Sequence, residues 1–388
     1  MDKREKQVLD HIRDMKPLEE LYAEGMTPAN VKDILFDLFA PYSKNHDALM
    51  RYVVEYMVVD SMTLASIRDN DWAVQLLEES LRIYRLAIAT DWNFSLRTLS
   101  ERLVDEKNAL AVFWSQYHLC HELHALDIDE FVHESLRLIG TIIEGIIKPY
   151  LYGLAHCVQI AKGEHPTVQD INRLKLGNVV DMLIQVAQTP DHYSIRGVRI
   201  NQWRNIAHHF TASVHNNVVT CVYQDGQKQI QLNRDELLGV VIDINNVLKA
   251  LKVGHMIVFF DHRDQMLKNR MLPKLGIRPE ASMTHLTIAL ASQGFRTVDA
   301  SFTEEQSMLV VQDVSSIDTT SRRLHTTQFV IPLYFFRPAA QITVEYRDRY
   351  GMPSLRTTAS RALMERAQEA DDWTLVAREA EIEDMKDK

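Results

Sequence analysis

The sequence predicts a mainly α protein: an N-terminal helical domain and a helical bundle, followed by a small α+β domain on an antiparallel sheet. Three observations predict it. Apolar residues recur at i, i+3, i+4 and i+7 almost without interruption to about residue 270. Beyond the stretch from Pro273 to Pro279, with Gly276 inside it, apolar and polar residues alternate instead. Within the helical part, Asp225-Gly226 is the strongest short hairpin signal. The expected division is 1–126, an accessory helical domain; 127–270, a helical bundle with a hairpin insertion; 280–359, the α+β domain; and 360–388, an acidic helical tail.

The first region reads as helical from Lys3 to about Leu126, and Thr27-Pro28 is a helix start within it, with proline in the first turn. Val31, Ile34, Leu35, Leu38 and Phe39 follow at helical spacing until Pro41 closes the segment. Further helices are expected over 48–64, 72–89 and 96–125. His118, His121, His124 and His133, with Glu122 and Glu130 between them, suggest a metal site. However, His121-Glu122-Leu123-His124 brings its second histidine one residue early for the H-E-x-x-H zinc signature. They read as partly exposed helix histidines, and no metal is expected.

Residues 130–162 read as one long amphipathic helix, with Pro149 as a bend. Thr167 caps a helix that runs to about Gln188 and is stopped by Thr189-Pro190-Asp191. Strands over 218–223 and 227–232 flank the Asp225-Gly226 turn. Asn233 with Glu236 makes a capping box, opening a helix that carries Leu237, Val240, Val241, Ile244, Val247, Leu248 and Leu251. His262-Arg263-Asp264 with Asn269 matches the letters of a kinase catalytic loop. No Gly-rich loop, D-F-G or strand-borne lysine accompanies it, so it reads as a charged helix terminus. In the last region a helix is expected over 284–292 and strands over 296–303, 308–314, 328–335 and 341–347, with Pro332 placing its strand at an edge or bulge. From Glu365 onward nine acidic residues face four basic ones, which reads as a solvated or partner-facing tail.

The totals restrict the function classes. The 388 residues are 46% apolar and 25% charged, an ordinary globular composition. A net charge of −10 argues against holding nucleic acid by bulk electrostatics, so such contact needs a local basic patch. One candidate exists: Arg173, Lys175, Arg196, Arg199 and Arg204 outnumber Asp181 and Asp191 in their segment. Cys120, Cys157 and Cys221 are far apart and form no C-x-x-C pair, so neither a disulfide framework nor a zinc finger is indicated. The charged start, Met1-Asp2-Lys3-Arg4-Glu5-Lys6, lacks an apolar signal core, and no run approaches the ~20 apolar residues of a membrane span. The expected location is the cytoplasm.

Gln202-Trp203-Arg204-Asn205-Ile206-Ala207-His208-His209-Phe210 is the stretch that suggests chemistry. At roughly 100° per residue, Trp203, Ile206, Ala207 and Phe210 fall on one buried stripe. Arg204 and His208 then share one flank, Asn205 and His209 the other. Such a helix shows a guanidinium, a carboxamide and imidazoles to a cleft, which suits phosphate. An imidazole that titrates near neutral pH can take a proton from a ribose 2′-hydroxyl. A guanidinium can hold two phosphate oxygens through parallel hydrogen bonds.

Arg204-Asn205-x-x-x-His209 resembles the R-N-x-x-x-H form of the R-x4–6-H motif of HEPN domains. These are all-helical domains, many of them metal-independent RNases of toxin–antitoxin, CRISPR and phage-defence systems. The resemblance covers the motif and, more loosely, the helices of 129–264. It implies that Arg204, Asn205 and His209 act on RNA to leave a 2′,3′-cyclic phosphate and a 5′-hydroxyl, without a cofactor. His208 stands beside the motif, and an acidic residue of an earlier helix, Glu144 or Asp181, can assist. The basic residues Arg173, Lys175, Arg196 and Arg199 would bind the RNA. Two motif copies would face each other across a homodimer, with an antitoxin or sensor protein as a further partner. Two other readings stay open: a non-catalytic HEPN-like module that binds nucleotide or a partner, and a helical scaffold in which Arg204 pairs with a neighbouring helix.

Overall fold

The computed structural model describes residues 21–22, 24–117, 123–273, 279–315, 320–370 and 372–385. These fall into two compact units, one within 38–50 and 60–275, the other within 1–37, 51–59 and 276–388. The architecture is mainly α, with one larger sheet near the C-terminal end.

The N-terminal helices form where the apolar spacing places them, with shifted breaks: α1 (Pro28–Phe39), α2 (His46–Tyr56), α3 (Val58–Ile67), α4 (Asp71–Thr90) and α5 (Trp92–Tyr117). The expected 48–64 helix is therefore two, divided at Met57. Asn70 caps α4 by accepting the Ala73 N–H, which satisfies one of the donors every helix start leaves open. The candidate metal residues His118, His121 and Glu122 lie outside the described residues. His133 is exposed, and its ring meets that of Phe210.

The long helix expected over 130–162 is α6 (Ile128–Ile142), a π-helical turn (Ile143–Ile147) and α7 (Lys148–Ala161). In the wide turn Lys148 donates its N–H to Ile143, five residues back. Pro149 follows at once and has no N–H to offer the carbonyl four residues before it, so the ladder is already interrupted there. By length and composition Ile128–Ala161 is apolar enough to cross a membrane, but 61% of its apolar window is buried inside the protein.

Thr167 caps α8 (Val168–Asn172) through a capping box with Asp170, and α9 (Leu176–Val186) follows separately. The short strands β1 (Ser194–Ile195) and β2 (Val198–Arg199) lead into α10 (Ile200–His209). A three-stranded antiparallel sheet comes next: β3 (Ala212–His215), β4 (Val218–Tyr223) and β5 (Lys228–Leu232). The Asp225-Gly226 hairpin forms as expected, whereas β3 adds a strand that the sequence pattern left unassigned. Asn233 and Glu236 form the expected capping box at the start of α11 (Arg234–Lys268), which carries the charged His262–Asp264 segment in its last two turns.

The helices on either side of residue 126 share one unit. Both α4 and α5 pack on α7, and α4 packs on α11. Leu76, Leu77 and Tyr84 of α4 are at most 1% exposed, so the apolar stripe of the early helices is completed by distant ones. At the α4–α11 crossing a Cβ on Gly254 would overlap the Ser80 hydroxyl and lie 3.3 Å from Leu77 Cδ1. Gly254→Ala is therefore expected to destabilise the bundle by about 1–3 kcal/mol. A denaturant midpoint unchanged from wild type would show that the helices do not cross that closely.

The second unit contains α12 (Pro279–Ser292) and a five-stranded sheet of order β10-β9-β8-β7-β6. Its strands are β6 (Phe295–Phe302), β7 (Gln306–Asp313), β8 (Gln341–Arg347), β9 (Pro353–Ser360) and β10 (Glu381–Asp384). Neighbours are antiparallel except β7 and β8, which run parallel. A parallel pair needs a crossover, and the chain supplies it as α13 (Thr320–His325), a 3-10 turn (Thr326–Phe329) and α14 (Val330–Phe336). The strand expected over 328–335 is thus a helix. Its β-branched and aromatic composition suggests a strand, but Phe329, Val330, Leu333 and Phe336 are buried at helical spacing, and Pro332 sits in the first turn where no N–H is needed. The C-terminal segment is likewise no solvated tail. Leu363, Met364 and Ala367 of α15 (Arg361–Ala370) and Val376 of α16 (Thr374–Glu379) belong to this unit's core, and β10 pairs with β9.

Candidate functional site

Trp203 and Ile206 of α10 are fully buried, and the Trp203 indole donates to the Ile195 carbonyl at 3.1 Å. That anchor fixes which side of the helix faces outward. Gly140 of α6 lets the two helices approach, since a Cβ there would lie 3.2 Å from Ala207 Cβ and 3.9 Å from His208 Nε2. The expected stripe fails at its end. Phe210 is 44% exposed and left-handed (φ 48°, ψ 48°), so the helix stops before the ring can turn inward.

Arg204 and Asn205 line an open groove of about 410 Å³ between α10, the α6–α7 junction and the α8–α9 region. Glu144, in the π-helical turn, organises it. Its carboxylate accepts from Arg204 Nε at 2.9 Å on one oxygen and from Lys148 Nζ at 2.5 Å on the other. Burial alone would raise the Glu144 pKa. The hydrogen bonds and positive charges of Lys148 and Arg204 outweigh it and hold the carboxyl below its ordinary range. Arg204 Nη1 also donates to Asn205 at 3.4 Å, while no bond from Nη2 to another described residue is seen. Lys175 is the third cation on the lining, so three positive charges face one carboxylate.

The groove's other polar groups are mostly engaged. Tyr152 donates its hydroxyl to the Leu174 carbonyl at 2.5 Å, and burial raises its pKa, which removes it as an acid. Asn172 accepts from Arg102 at 2.6 Å. Arg102 is itself buried and stands against His156, whose pKa is pushed down to about 4 by burial and by that guanidinium. The Asn201 carboxamide oxygen is buried and meets no donor among the described residues.

Of the two carboxylates named from sequence, Glu144 joins the site, and Asp181 pairs with Arg199 at 2.6 Å on the surface. Of the basic residues, Lys175 lines the groove with Arg204. Arg173 lies 3.9 Å from Asp170, and Arg196 lies 4.0 Å from Glu236. His208 and His209 are exposed and do not line the groove. They stand one turn further along α10 than Arg204 and Asn205 respectively, about 6 Å along the axis. Lys148 was not singled out from sequence. Its i+4 spacing from Glu144 was the available signal. Comparison with protein-family models, with curated proteins and with solved structures yields no match for this chain.

Proposed function

We propose that the groove holds a phosphate of an RNA chain and that the protein is a metal-independent endoribonuclease of HEPN type, acting in the cytoplasm as a toxin or phage-defence effector. The observation that carries this reading is the Arg204 guanidinium, oriented through Nε by Glu144 and flanked by Lys148 and Lys175. Its outer nitrogens can take non-bridging phosphate oxygens and offset the charge that gathers on them in the transition state.

In this mechanism His209 takes the proton of the 2′-hydroxyl. The 2′-oxygen bonds to phosphorus, and the bond from phosphorus to the 5′-oxygen breaks. The leaving 5′-oxygen takes a proton from His208, from water or from a second copy of the chain. The products are a 2′,3′-cyclic phosphate and a 5′-hydroxyl. A specific observation favours a second reading, a non-catalytic module for a phosphate-bearing ligand. Glu144 already neutralises part of Arg204, and the imidazoles stand outside the groove.

An RNA cleavage assay with EDTA present separates the two. Wild type is expected to cleave, with Arg204→Ala and His209→Ala each reduced by about a hundredfold or more. Cyclic-phosphate ends should appear on the products. Absence of cleavage, or loss of cleavage with the chelator, rules the nuclease out, whereas ligand binding that persists without cleavage supports the second reading.

A further inference from the structure

We infer that Phe210, with the His133 ring behind it, is a stacking platform for a base of single-stranded RNA, adjoining the proposed cleavage site. The inference rests on the nuclease reading for its ligand class, but on separate residues. Phe210 is a large aromatic side chain held in left-handed backbone, a conformation that favours glycine. The surrounding chain fixes it there. The N–H groups of Phe210 and Thr211 both return to Ile206, and Thr211 is tied to Val222 of β4 through its backbone and its hydroxyl. The residue is 44% exposed there. The left-handed backbone closes the end of α10, and it carries the aromatic face out to solvent instead of into the core. His133 of α6 supports it from the side, with ring centroids 5.3 Å apart and planes tilted by 45°.

Position decides which part of an RNA chain would lie there. Phe210 follows the last turn of α10, where the helix dipole is negative and phosphate is disfavoured. A neutral base is not. Arg204 lies one to two turns back on α10, and Lys148 of α7 shares its carboxylate, Glu144. Arg137, one turn from His133 on the same face of α6, is held by Glu134, so that pair adds no net charge beside the ring. A strand with one phosphate at Arg204 would run over His208 and His209 and set its next base on Phe210. Aromatic platforms hold bases of any sequence, because every base offers a π face.

The test uses short 2′-O-methyl oligonucleotides, which lack the attacking hydroxyl and stay intact, alongside the same backbone with abasic positions. Wild type is expected to bind the base-bearing strand about tenfold more tightly than the abasic one. Phe210→Gly relieves the backbone strain, so it should fold at least as stably while losing that preference; Phe210→Tyr should retain it. Equal binding of both strands by wild type, binding of neither, or a preference that survives in Phe210→Gly overturns the platform. A concentration-dependent dimer that Phe210→Gly dissociates would assign the ring to a second copy of the chain instead. The cleavage assay keeps the two proposals apart. A base preference without cleavage removes only the nuclease, and cleavage without a base preference removes only the platform.

Discussion

On the proposed nuclease function, Arg204→Lys is expected to reduce RNA cleavage by about a hundredfold or more, nearly as much as Arg204→Ala, although the positive charge is kept. Lysine has no counterpart to Nε, the atom through which Glu144 at 2.9 Å sets the plane of the guanidinium. It would present one mobile ammonium to the phosphate in place of a fixed pair of N–H groups. Lys148 already supplies an ammonium to the same carboxylate, so a second one would compete for Glu144. Both variants should fold normally because Arg204 is partly exposed. Equal cleavage by Arg204→Lys and wild type would mean that charge alone matters and the Glu144 contact is incidental.

The same carboxylate sets a pH expectation. Burial raises the Glu144 pKa, but Lys148 and Arg204 bring it below the ordinary carboxylate range. A group whose pKa is depressed on folding contributes its stabilisation above its unfolded pKa and loses it as pH falls through the lower folded value. The Arg204–Glu144–Lys148 arrangement should therefore persist from neutral pH through mild acid. Any cleavage should then not be lost between about pH 7 and 5 through release of the Glu144 contacts, and a binding or cleavage profile that falls there in wild type but not in Glu144→Gln would contradict this.

Trp203→Ala is expected to destabilise the helical unit by about 3–5 kcal/mol, the largest single-residue effect on this helix. The indole is 0% exposed, and its N–H satisfies the Ile195 carbonyl at 3.1 Å, so truncation leaves both a cavity and an unpaired acceptor. Because Trp203 sets the rotation of α10, groove binding should weaken before the unit unfolds. Trp203→Phe keeps most of the volume and loses the hydrogen bond, and is expected to cost only about 1–2 kcal/mol. Denaturant midpoints for the three proteins check this order. A Trp203→Ala protein within about 1 kcal/mol of wild type would contradict the packing described.

The sequence alone determined what is local. Helical spacing placed the apolar helices, Asn233 and Thr167 declared their caps, and Asp225-Gly226 declared its hairpin, because each depends on residues within a turn or two. The Arg204–Asn205 pair on the outer side of a helix anchored by Trp203 was legible for the same reason. Only the tertiary structure decided the rest. It chose Glu144 over Asp181, brought Lys148 and Lys175 to Arg204, and left Phe210 outside, since each outcome depends on which distant helix packs beside α10. It also made a helix of 330–336 and a core element of the acidic C-terminal segment. Composition there records only that the residues are apolar, aromatic or charged. Which backbone buries them is settled by the surface they meet.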